Sequence, residues 1–420
     1  MGKIARITSE EILDSSGVPT LKTTVYLDDN TQGTASIPSG TSIGTNEAVE
    51  LRDGDPNRYN GRGVLQAINN VQGIIFQAIK GMDPTEQEKI DNTMLLADRT
   101  GNKSKLGANA ILSVSLAVAV AAATSQKIPL FKHIRMISGK NLEEGSQLPQ
   151  PVVNLIEGGR HVESGLEFQE FLAIPKGSRF IEQGYAKTLK LIESLKALVK
   201  QKKLGEQLGV EGGFAVDLPT NEAAINLIKE AMANLELTGA DFNLGLDVAA
   251  MSIYKNGEYR FRDVEKSLND TGFINYLQKM AKKHQLYYLE DPLSESDWSG
   301  WRELTRSLSP SVHVIGDDLT ATNQNRLTQA LENEAITGVV VKPNQIGTLT
   351  ETLAFTSRAQ VAGIKVVVSH RSGETEDSFI VDLAVAVNAD LIKIGSPLQK
   401  VRFAKYNRLL EIEKELWRHK

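Results

Sequence analysis

Leu286-Tyr287-Tyr288-Leu289-Glu290 and, a little further on, Val312-His313-Val314-Ile315-Gly316-Asp317 decide the fold. Each is a short apolar run, rich in aromatic or β-branched residues, that closes on one carboxylate. Strands of a parallel sheet, buried on both faces, have this appearance. The pattern recurs on either side, at Leu244 to Leu246 before Asp247, Val339 to Val341 before Lys342, Val366 to Val368 before Ser369-His370, and Leu391-Ile392 before Lys393. From Glu290 onward, Asp317, Lys342, His370 and Lys393 follow at intervals of 23 to 28 residues, enough for one strand and one covering helix. In a β/α barrel the loops above the C-terminal strand ends form the mouth of the site, so polar residues there read as catalytic. The pattern predicts an enzyme built on a parallel β/α barrel.

The chain has 420 residues, room for a barrel of roughly 250 residues and a smaller partner. Upstream, Lys3 to Leu13, Thr20 to Leu27 and Thr31 to Ile37 alternate at period two and predict a three-stranded meander. Helical spacing follows at Val64 to Ile79, Thr85 to Leu96 and Leu106 to Ala123. The expected organisation is an N-terminal α+β capping domain over 1–135, a linker over 136–149 that carries Gly139, Gly145 and Pro149, and a catalytic barrel over 150–420. Strands at Pro151 to Leu155 and Phe168 to Ile174 precede two helices, and regular alternation begins only near Asn243, so the TIM-like barrel is expected to open irregularly. Thr322, Thr348 or Thr350, and Thr375 are expected to cap later helices.

A net charge of −5 gives no basic footprint for nucleic acid. With no cysteine, disulfides, thiolate metal sites and thiol catalysis are excluded, which fits a cytoplasmic location. The opening residues, Met1 to Glu10, lack a signal-peptide core, and the longest apolar stretch, Ile111 to Ala123, is shorter than a membrane span and alanine-rich, as a buried helix would be.

Asp247, Glu290 and Asp317 offer three hard oxygen donors at one end of the barrel, a set that suits Mg2+, which takes few protein groups and keeps positions open. Singly, each reads equally as a solvated loop acid. Lys342 and Lys393 end two nonadjacent strands; burial and neighbouring positive charge would lower a lysine toward the range of a base, and the alternative is that both neutralise the acids. Arg371, Ser372 and the following backbone N–H groups suit a phosphate, or a helix-capping turn. Glu211 stands among Gly209, Gly212 and Gly213, either as the acid partner of a lysine base or as a structural loop acid. Gly40-Thr41-Ser42-Ile43-Gly44 reads as a hinged lid or an ordinary turn. No dinucleotide loop, phosphate-binding loop or His-Glu-x-x-His motif is present.

Beyond these single readings, an ordered set of segments resembles the enolase family from Glu11 to the C-terminus. It comprises Glu11-Ile12-Leu13-Asp14-Ser15, Pro38-Ser39-Gly40, Glu50 to Asp55, Asn102 to Ala110, Gln169-Glu170-Phe171, Asp247 to Ala250, Glu290-Asp291-Pro292, Asn344 to Thr348 and Ser369 to Asp377. The resemblance implies the reversible, Mg2+-dependent dehydration of 2-phospho-D-glycerate to phosphoenolpyruvate in glycolysis and gluconeogenesis, with two Mg2+ per active site. It implies that Asp247, Glu290 and Asp317 hold the first ion and Ser42 helps hold the second. Lys342 would remove the C2 proton, and Glu211 would protonate the departing C3 hydroxyl, with Gln169, Glu170 and His161 around it. Lys393 would face the substrate carboxylate, while His370, Arg371 and Ser372 would hold the phosphate side. A cytoplasmic homodimer, in some cases an octamer built from four such dimers, is the assembly it implies.

This sequence departs from the family pattern at Ser16 and Val18, where Arg and Asn are usual, at Ile43 for Thr in the lid, and at Val210 for the Asp before Glu211. The departures at Val210 and Ile43 motivate one alternative, a paralogue acting on another phosphorylated or phosphonylated hydroxy acid. A second is a non-catalytic binding role, with secondary cell-surface exposure, through the terminal Lys420.

Overall fold

The computed structural model describes residues 2–40, 44, 46–141, 147–162 and 165–417. Ser42, most of the expected lid and Lys420 lie outside the described residues.

The meander is present as β1 (Ile4–Leu13), β2 (Pro19–Leu27) and β3 (Gln32–Ser36), all antiparallel. Its buried face, with Leu21, Val25 and Ala35 fully enclosed, receives the helix Ala108–Gln126. Alanines on that helix and a glycine on the sheet let the two backbones touch: a Cβ at Gly33 would stand 2.1 Å from the nitrogen of Ala121. Among the described residues this is the one helix long and apolar enough to cross a membrane, and it forms the core of the small domain.

Eight strands form a closed ring in chain order: β4 (Gln150–Glu157), β5 (Glu170–Pro175), β6 (Phe242–Asp247), β7 (Leu286–Glu290), β8 (His313–Gly316), β9 (Gly338–Val341), β10 (Lys365–Ser369) and β11 (Leu391–Lys393), with β11 closing on β4. β5 runs antiparallel to both neighbours and every other pair is parallel, which is the irregular opening.

Strand periodicity sorts the side chains. Val366 and Val368 pack outward while Val367 joins Val152, Leu172, Ile174, Tyr288, Ile315, Val340 and Leu391 in the plug that fills the ring. The residue two positions nearer the mouth shares the inner face, so this plug sets what the mouth receives. Leu172 follows Glu170 on the reversed strand, whereas Tyr288 leads to Glu290, Ile315 to Asp317, Val340 to Lys342 and Leu391 to Lys393. Gly245, two before Asp247, has no side chain because Tyr288 takes the space: a Cβ there would lie 2.8 Å from Tyr288 Cβ.

Two expected caps fall elsewhere. Asn323, not Thr322, caps the helix Gln324–Glu332, and Asp377, not Thr375, accepts the N–H of Phe379 at the start of Phe379–Ala386. Thr348 caps Leu349–Val361 and trades bonds with Glu351 in a reciprocal pair.

Candidate active site

Strand register brings four acids into one row. Glu157 pairs with Glu170 across β4 and β5, Glu170 with Asp247 across β5 and β6, and Asp247 with Glu290 across β6 and β7. Lys393 closes the row: its ammonium lies 3.0 Å from Glu170 Oε1, 3.0 Å from Asp247 Oδ2 and 2.9 Å from both Glu290 oxygens. All five side chains are buried. Burial and the charge of Asp247 push Glu290 up to about 8, and burial with the charge of Glu211 pushes Glu170 well above the usual carboxylate range. Lys393 is the counter-charge that this concentration of acids demands, and the acids hold it well above an ordinary lysine against the effect of burial.

Asp317 follows β8. Its Oδ1 accepts from Gln345 Nε2 at 3.0 Å and its Oδ2 is in contact with the Lys342 ammonium. Burial pushes Lys342 down, but Asp317 wins and raises it above an ordinary lysine, the opposite of the lowering expected from sequence. The reason is the direct ion pair, which outweighs the more distant Arg371 and Lys393 charges. Asp291 anchors the turn, its two oxygens accepting the N–H groups of Asp317 and Asp318 at 2.9 and 2.8 Å. Ala249 and Asp291, just beyond strand ends, and Ala321 and Thr322, in the loop between β8 and the next helix, all have positive φ. For the β-branched Thr322 this is a strained conformation, held because its hydroxyl accepts from the Lys342 N–H and donates to Gln345 Oε1.

Glu211 sits in the glycine loop beside β4 and is buried. Its Oε2 is 3.1 Å from His370 Nε2 and 3.3 Å from Asn154 Nδ2, while His161 Nδ1 lies 3.9 Å from Oε1. Glu157 accepts the backbone N–H of Glu211 and, at 2.6 Å, that of Gly213. A Cβ at Gly209 would fall 2.2 Å from Glu157 Oε2, so glycine there is what lets the loop wrap the acid. Burial disfavours charge on both carboxyls. Glu211 nevertheless stays well below the usual range because His370, His161 and Arg402 favour its ionised form, whereas burial and the charge of Glu211 push Glu157 up to about 8. His370 is itself pushed down to about 4 by burial. At neutral pH it is therefore uncharged and acts on Glu211 through a ring N–H dipole rather than a full charge.

Of the residues expected from sequence, Asp247, Asp317, Lys342, Lys393, Glu170, Gln169, His161, Glu211, His370, Arg371 and Ser372 all line one cleft. Glu290 reaches it through Lys393; Ser42 is outside the described residues. Gln169 Nε2 is 3.4 Å from Asp247 Oδ2. The donor set fits a hard divalent cation: buried carboxylates, carried on adjacent strand ends, with no sulfur. Among the described residues, ligand atoms of Asp291, Asp317 and Asp318 lie within 4.8 Å of one another, as do those of His161, Glu170 and Glu211.

Sequence reasoning passed over Glu157, Asn154, Gln345 and Arg402. Glu157 carried the same signal as Glu290, an apolar run closing on an acid, in Val152-Val153-Asn154-Leu155-Ile156-Glu157.

Comparison with protein families gives two matches. Residues 4–134 match the family described as Enolase, N-terminal domain, and residues 145–419 match Enolase, C-terminal TIM barrel domain. Together they span nearly the whole chain, over a small antiparallel domain and a closed barrel whose mouth gathers buried acids and lysines. The chain therefore belongs to the enolase family, and so to a superfamily of Mg2+-using, lyase-type enzymes.

Proposed function

We propose that this enolase-family chain is a hydro-lyase that interconverts 2-phospho-D-glycerate and phosphoenolpyruvate. The observation that carries the reading is that Lys342, from β9, and Glu211, from the loop beside β4, enter the same cleft from separate parts of the rim. Removing the C2 proton of a hydroxy acid and expelling its C3 hydroxyl needs a base and an acid held apart in this way. Lys342 takes the proton from C2 and the electrons of that bond pass onto the substrate carboxylate; they return to form the C2–C3 double bond as the C3–O bond breaks, and Glu211 supplies the proton that makes the leaving group water. Like charge from an anionic substrate raises Glu211 toward the protonated form it needs.

Asp247, Glu290 and Asp317 would hold one Mg2+, and Ser42 would join a second. An ion held there would supply positive charge for the carboxylate that gains negative charge as the proton leaves, and Asp317, which otherwise holds Lys342 as an ammonium, would be turned toward it. Arg371, Ser372 and His370 take the phosphate side, and Lys393 the substrate carboxylate. Gln169, Glu170 and His161 surround the acid. The sequence resemblance supports a cytoplasmic homodimer as the working form.

A second reading, a paralogue for a related phosphorylated or phosphonylated hydroxy acid, is favoured by Val210, which carries no charge next to the acid. The test is phosphoenolpyruvate formation from 2-phosphoglycerate, followed by ultraviolet absorbance with Mg2+ and with a chelator. Chelator-sensitive turnover supports the first reading; turnover of a phosphonylated analogue but not of 2-phosphoglycerate supports the second.

A further inference from the structure

Arg402, on the helix Lys400–Trp417, is fully buried, yet among the described residues no carboxylate lies within ion-pair distance of it. A guanidinium taken out of water without a counter-ion is costly and is retained where its donors are needed. Its donors go to two loops of the cleft. Nη1 donates to His370 Nδ1 and, at 2.7 Å, to the Arg371 carbonyl; Nη2 donates to the Ser372 carbonyl at 2.8 Å and the Val210 carbonyl at 3.3 Å. One side chain thus ties the Glu211 loop to the 370–372 turn. The fit is close on its open side, where a Cβ at Gly395 would stand 2.9 Å from His370 Cε1 and 3.2 Å from Arg402 Cδ.

An arginine has no acceptor, so the nitrogen facing it must offer a lone pair. His370 Nδ1 is therefore bare, and the ring proton is on Nε2, aimed at Glu211 Oε2. That oxygen already accepts from His370 and Asn154, whereas Oε1 accepts no hydrogen bond among the described residues. When Glu211 carries a proton, Oε1 is where it sits.

We propose that Arg402 is a positioning residue: it fixes His370 as the neutral Nε2–H tautomer and so keeps the transferable proton of Glu211 on Oε1. With the opposite tautomer a bare Nε2 would face Oε2 and draw the proton there, hydrogen-bonded to the ring and withheld from substrate. The catalytic consequence rests on the reading that Glu211 protonates the leaving hydroxyl; the tautomer does not.

The test is 15N NMR of full-length protein labelled at its six histidines, with His370 identified by its absence in His370→Gln. The wild type is expected to show Nδ1 bare and Nε2 protonated. Arg402→Met is expected to move His370 toward Nδ1–H, and to lower kcat on 2-phosphoglycerate about 10- to 100-fold with KM changed less than about threefold. Arg402→Lys, whose ammonium can still donate to Nδ1 and cannot accept, is expected to restore the tautomer and part of kcat. A wild-type spectrum with Nδ1 protonated overturns the proposal even if Arg402→Met fails to fold. So does an Arg402→Met protein that keeps Nε2–H, or one that changes tautomer with kcat intact. If the wild type does not act on 2-phosphoglycerate, the proposed reaction falls and the spectra alone decide the role of Arg402.

Discussion

Glu47 of the small domain grips Arg371 at the barrel rim with both carboxylate oxygens, at 2.7 and 3.1 Å. Both side chains are buried, and Arg371 is a proposed phosphate ligand. The carboxylate thus occupies donors that an incoming phosphate would also use.

Replacing Glu47 with Gln leaves the guanidinium without its counter-charge, so stability is expected to fall by about 3 kcal/mol. Inorganic phosphate should then recover more of the melting temperature in the variant than in the wild type. Equal recovery in both would show that Glu47 and phosphate do not compete for Arg371.

Base and acid are separable. Lys342→Met is expected to lose exchange of the C2 hydrogen with solvent deuterium and to slow overall turnover by about 10³-fold or more. Glu211→Gln is expected to lose dehydration while C2 exchange persists, because Lys342 is untouched. Loss of exchange in both variants would contradict the division of roles.

Lys393 is in contact with three buried carboxylates, and Lys393→Ala removes their counter-charge without removing the acids. The variant should melt well below the wild type with chelator present and recover in millimolar Mg2+, a salt effect that NaCl at equal ionic strength does not reproduce. A melting temperature insensitive to Mg2+ would argue against a cation site among these acids.

In the small domain, burial pushes His133 from 6.5 down to about 4, and the ring stays neutral beside Gln126, 3.0 Å away. The unfolded chain takes up the proton first as pH falls. The stability that the buried neutral ring provides is therefore whole above about 6.5 and is lost as pH drops through about 4, by up to about 3 kcal/mol. Urea titrations of the wild type and His133→Gln should converge over that window; parallel curves would place the pH response elsewhere.

Much of this was readable in the chain. Strands buried on both faces leave an unbroken apolar run, so the residue at which the run stops marks the mouth, and Asp247, Glu290, Asp317, Lys342 and Lys393 were found this way. The rule reads strands forward. It is silent on Glu170, which opens a reversed strand and was found by resemblance alone, and a bulge between Asn154 and Ile156 blurred the end of β4. Arg402 could not be found by spacing, since its partners His370 and Val210 are 32 and 192 residues away. Thr322 had the composition of a helix cap, but its hydroxyl is taken up by the Lys342 N–H and Gln345 Oε1, which left that task to Asn323.

The reversed strand β5 has one further effect. Because β4 ends at the rim and β5 starts there, the described residues 158–162 and 165–169 between them stand on the substrate side, His161 and Gln169 among them. Lengthening or shortening this connection would redraw the entrance without disturbing the stave order of the cylinder beneath.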